Sequence, residues 1–95
     1  MATTLQVAGD KSGTVTTGNT AQVLIPANPG RVGLIFQNTS AGDLWINVFG
    51  TATLASPSLK VPTNGTVQFA DMNMPTGAIS VIGATTAQAF TCWEF

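Results

Sequence analysis

Arg31-Val32-Gly33-Leu34-Ile35-Phe36-Gln37-Asn38, followed by Thr39-Ser40-Ala41-Gly42 and then by Leu44 to Phe49, is the stretch on which the fold turns. Val32, Leu34 and Phe36 alternate with Gly33, Ile35 and Gln37, the two-residue period of a strand with one apolar face. Thr39 to Gly42 are turn formers, and beyond them the alternation resumes with Leu44, Ile46 and Val48 on the core face. A hairpin is expected from the two runs. Trp45, Asn47 and Phe49 are then forced onto the opposite face. Two large aromatics there need a cover, either a second layer or a neighbouring subunit. Phe36 is expected at the centre of the core, where truncation to Ala costs about 3 to 5 kcal/mol.

Working outward, further strands are expected at Gln22–Ile25, Ser58–Val61, Thr66–Phe69, Ala78–Ile82 and Ala89–Glu94. Asn64-Gly65 is a tight-turn dipeptide, so Leu59–Val61 and Val67–Phe69 are expected to pair. Pro57 and Pro62 bracket a short strand and place it at a sheet edge. Gly83-Ala84-Thr85-Thr86 supplies the last turn. No window carries apolar residues at helical spacing, and Glu, Lys and Arg are scarce. The reading is all-β, a small antiparallel β-sandwich, jelly-roll-like, of about seven or eight short strands. Residues 1–20 differ from the rest, with six threonines and three glycines. They read as a first strand or as an arm that pairs with a neighbour's sheet edge, leaving 21–95 as the sandwich domain.

The chain has 95 residues, of which 7% are charged, against roughly a quarter in an ordinary soluble domain. Its ionisable groups are Lys11, Arg31 and Lys60 against Asp10, Asp43, Asp71 and Glu94, a net charge of −1; there is no His, and Cys92 is the one cysteine. That inventory excludes a disulfide scaffold, a Cys/His zinc site and a basic nucleic-acid patch. No activated nucleophile can be assembled without a His, and Cys92, between Thr91 and Trp93, reads as a small buried hydrophobe. The four carboxylates sit at a turn, at strand ends and near the C-terminus, not as an acid–base pair. Asp71-Met72-Asn73 echoes the start of a calcium loop but lacks its later ligands. No cofactor is expected. Met1 to Gly9 have neither an n-region nor an h-region, and the uncharged run Met72 to Trp93 is broken by Pro75, Gly77 and Gly83. The expectation is a soluble chain made in a reducing cytoplasm, with no membrane partner.

Apolar residues make up 44% of the chain and mean hydropathy is +0.31. A domain this small leaves much of that surface outside its core, and a dispersed monomer normally keeps charge on its surface. Association with copies or a partner follows. Aromatics and Met are enriched at such interfaces, which nominates Trp45, Phe49, Met72, Met74, Trp93 and Phe95.

From Ile25 onward the chain resembles small β-sandwich virion proteins of tailed bacteriophages, of the capsid decoration or cement type. The residues carrying the likeness are Arg31 to Asn38, the aromatic strand ending Phe49-Gly50-Thr51, Pro75-Thr76-Gly77 leading into Ala78 to Ile82, and a closing strand with Phe90, Trp93 and Glu94. Such domains often carry a Pro-Gly-Gly-like turn where this chain has Val61-Pro62-Thr63-Asn64-Gly65. The resemblance implies a homotrimer on the capsid surface, bound to the major capsid protein by apolar multivalent contacts, with no catalytic residues. The alternative it leaves open is a receptor- or carbohydrate-binding module of a head fibre or tail.

Overall fold

The β-formers between the Gly, Pro and Asn punctuation do become strands. The computed structural model describes residues 9–70 and 73–95. Within them lie β1 (Gly9–Asp10), β2 (Gly13–Thr14), β3 (Gln22–Ile25), β4 (Leu34–Asn38), β5 (Leu44–Asn47), β6 (Leu59–Val61), β7 (Thr66–Phe69), β8 (Ile79–Gly83) and β9 (Ala89–Glu94). One antiparallel sheet runs β1-β9-β4-β7, with β2 also on β9, and the other runs β3-β8-β5-β6. The all-β sandwich expectation holds, and β3, β7 and β9 have the expected bounds.

Strand pairing departs from expectation. β4 and β5 do not form a hairpin: β4 pairs with β7 and β9, whereas β5 pairs with β6 and β8. Likewise β6 and β7 lie in different sheets despite the Asn64-Gly65 turn between them. Both short connections are sandwich corners. The reason lies in Asn38. Its side chain is fully buried and its amide nitrogen donates to Gly42 O (2.7 Å) and Val61 O (2.8 Å), while its oxygen accepts from Ser40 N and Oγ (2.8 and 2.7 Å). The chain is thereby bent off sheet one at the end of β4 and bonded to the end of β6 in sheet two. Asn64 N also donates to Asn38 O, and Asn38 N to Gly65 O, so both corners meet at one residue. Buried Gln88 ties in the β8–β9 corner, donating to Ser40 Oγ and Asp43 O and accepting from Thr85 N. Gly83 leaves room for it, since a Cβ there would overlap Gln88 Oε1 and Leu44 Cδ2 and push the Gln88 amide from its place.

The core forms where the two inner faces meet. Leu34 and Phe36 of β4, Leu44 and Ile46 of β5, Ile79 and Val81 of β8 and Phe90 and Cys92 of β9 are all buried, as the alternation requires. The Phe36 and Phe90 rings lie 5.5 Å apart. Val32, expected on the core face with them, precedes β4 and is exposed, because its backbone and that of Gly33 pair with Phe95. A register shift between Val23 and Ile25 sends both Leu24 and Ile25 inward and leaves Val23 outside.

Candidate functional site

Polar side chains are the usual source of chemistry, and in this fold most of the buried ones serve the backbone. Arg31, which opens the deciding stretch, is buried at 3% exposure. Its Nε donates to Glu94 Oε2 at 2.7 Å, Nη1 to Pro75 O (2.6 Å) and Gly77 O (3.1 Å), and Nη2 to Pro26 O (2.7 Å). One guanidinium therefore fastens the ends of β3 and β9 and the loop before β8. Asn47 plays a similar part: its oxygen accepts from Phe49 N (2.7 Å) and Gly50 N (3.0 Å), and its nitrogen donates to Ser58 Oγ (3.3 Å). No buried side-chain nitrogen or oxygen among the described residues lacks a partner.

The described carboxylates are engaged separately. Asp10 accepts from Ser12 N, and hydrogen bonds from the Ser12 side chain and backbone hold its pKa below the ordinary value. Asp43 lies 3.5 Å from Lys60, and Glu94 belongs to Arg31. Asp71 and Met72 lie outside the described residues, and with them most of the calcium-loop reading; Asn73 Oδ1 accepts from Ala70 N, a turn role. Cys92 is buried in β9, and burial, followed by the charge of Glu94, raises its thiol pKa to about 11. No group of three or more metal-ligating side chains occurs among the described residues, and none of their helices is long and apolar enough to cross a membrane.

What the fold presents outward is apolar surface. Phe49 is 91% exposed, and Val23, Val32, Leu54, Leu59 and Trp93 are also exposed. The nominated aromatics do not share one surface. Phe49 stands beside a groove of about 420 Å³ lined by Val23, Gly50, Thr51 and Ala78, and beside another of about 270 Å³ lined by Ile46, Val48, Leu59 and Phe69. Trp93 sits on the outer face of the first sheet in a pocket of about 170 Å³ with Ile35, Gln37, Thr66 and Thr91. Trp45 is half-buried opposite Ile82 in the second sheet. Met74 packs on the rim of the core, and half-buried Phe95 lies over Gly33, where an added Cβ would touch its ring. Sequence reasoning missed Val23 and Leu59. The bulge in β3 exposes the first. Leu59 faces inward by register with Ile46, but at an edge.

Those edges are open. Among the described residues no strand pairs with the outer side of β3, β6 or β7. Lys60 on β6 is the one charge on these three strands, and charge is a common device for blunting an edge.

Comparison with known proteins adds a fold and no family. No family model and no curated protein matches the chain. Among solved structures, the fold is similar to a chain from Bacillus endospore appendages, described as a novel family of disulfide-linked pili. The two are 18% identical, with a TM-score of 0.54 over 93% of this chain and 83% of that one.

Proposed function

We propose that this protein is a structural subunit used in many copies, held to its neighbours by apolar, non-covalent contacts and with no catalytic role. One observation carries the reading. Folding removes charge from a surface that had little: Arg31 and Glu94 neutralise each other inside, and the exposed charges among the described residues are Asp10, Lys11, Asp43 and Lys60, two of each sign. Six large hydrophobics are exposed over the same surface. Such a surface is stable in water when companions cover it, at roughly 25 cal/mol per Å² of apolar area before association costs.

In its finer form the proposal is a capsid decoration protein, a trimer clamped on the lattice of a major capsid protein. The resemblance from Ile25 to Glu94 supports this form, and avidity from three footholds would multiply a weak single contact. A second reading, a subunit of a filamentous appendage, is favoured by the fold likeness to the pilus chain. Sedimentation of the purified protein over a wide concentration range tests the shared claim, and imaging separates its forms. Oligomers that decorate shells, or fibres that grow from the chain alone, are the expected outcomes. A lone monomer at millimolar concentration that attaches to nothing would defeat both.

A further inference from the structure

Phe49 is the most anomalous side chain in the described structure, a phenyl ring 91% exposed on a rigid mount. The mount is built from buried groups. Asn47 fixes the backbone at Phe49 and Gly50, Ser58 fixes Asn47, and Thr53 N donates to Ser58 Oγ at 2.9 Å. A ring held this way loses little further freedom on docking. It stands between two grooves of its own subunit, of about 420 and 270 Å³, and fills neither. Both are wider than a phenyl ring needs.

The pocket around Trp93 has the right size. It measures about 170 Å³ and is open to solvent on one side, with room for a phenyl ring to lie against Ile35 and Trp93. Ile35 and Trp93 face each other across β4 and β9, with Gln37, Thr66 and Thr91 on the other side, and no charged residue lines it. We propose that Phe49 of one subunit inserts into the Ile35–Trp93 pocket of a second copy of this chain. Knob and pocket are different surfaces of the chain, so a subunit either exchanges both with one partner about a two-fold axis or offers its knob to one neighbour and its pocket to another, the arrangement that continues as a ring or an open filament. The inference rests on the proposed structural role and adds the contact through which copies join.

Crosslinking tests it, because buried Cys92 leaves the native protein without an accessible thiol. Thr51→Cys, which keeps Phe49 and places an exposed thiol beside it, and Thr66→Cys, carrying different mass tags, are mixed and treated with a short bis-maleimide. The expected product is the mixed 51–66 crosslink in excess of either self-crosslink. In sedimentation, Phe49→Ala and Trp93→Ala should each weaken self-association at least tenfold, with the melting temperature of Phe49→Ala unchanged at dilutions where the wild type is also dissociated. A dominant 51–51 crosslink would instead mean that knob meets knob and overturn the inference. So would unaltered assembly of Phe49→Ala; oligomers persisting in that experiment would leave the structural role standing while removing this contact. A wild-type chain that stays monomeric removes both.

Discussion

Arg31 holds three segments far apart in sequence, because its partners Pro75, Gly77 and Glu94 lie 44 to 63 residues away. Removing a buried charged partner leaves the other uncompensated, so Arg31→Ala should cost about 3 to 5 kcal/mol, read as a shift in the denaturant midpoint. Phe36→Ala should cost a similar amount by another route, the cavity left against Phe90. Cys92 gives a pH-dependent prediction. Its thiol titrates at about 11 in the fold against an ordinary 9.0, so between these values the unfolded chain has lost a proton that the native chain keeps. Stability from this group is intact below pH 9 and declines as pH rises towards 11. Cys92→Ala should flatten that decline relative to wild type in melts across the same range, and the native thiol should resist a thiol reagent at pH 8 that labels it at once in denaturant. An equally steep alkaline decline in Cys92→Ala would show that the thiol is not its source.

At the scale of elements, strands could be located from sequence and their partners could not. Period-two alternation and Gly or Pro breaks are local signals, which is why Gln22–Ile25, Thr66–Phe69 and Ala89–Glu94 were readable to the residue. Whether a short turn closes a hairpin or crosses to the other sheet depends on bonds such as Asn38 to Val61, and nothing near Asn38 announces them. The candidate site divides in the same way. Alternation put Trp45, Asn47 and Phe49 on one outward face, and of these Phe49 is exposed, Trp45 is half-buried and Asn47 is buried by its bonds to Phe49, Gly50 and Ser58. Half-burial of Met74 and Phe95 comes from long-range packing on the core and on Gly33. Asn38→Ala tests the corner directly. It takes the Asn38 partner from the Val61 carbonyl and the Ser40 amide, whereas Gly42 O keeps its bond from Ser40 Oγ; each group left unsatisfied costs about 1 to 3 kcal/mol where buried. A loss of at least about 2 kcal/mol is expected by chemical denaturation, with Asn38→Asp failing to rescue because a carboxylate cannot donate to the two carbonyls. A neutral Asn38→Ala would show that the turn residues alone make the corner.

For the whole molecule, the inventory of reactive groups bears on the proposed assembly. Covalent chaining needs two reactive thiols per subunit, and these 95 residues hold one, buried in β9 between β4 on one side and β1 and β2 on the other. These residues thus lack the means for chaining through disulfides, and the contacts of the proposed assembly are those of surface chemistry. That surface carries balanced, sparse charge, so screening has little to weaken: at about 1 M salt the Debye length is near 3 Å, and association driven by ion pairs would fall away. Apolar contacts respond in the opposite sense, since sulfate is excluded from protein surface and favours burial. Assemblies of this protein should therefore keep their sedimentation profile in excess dithiothreitol, hold it in concentrated sodium chloride and shift to larger species in ammonium sulfate. Dissociation by the reductant would show that Cys92 becomes accessible and links copies after all; dissociation by sodium chloride would show that charges, few as they are, hold the copies together.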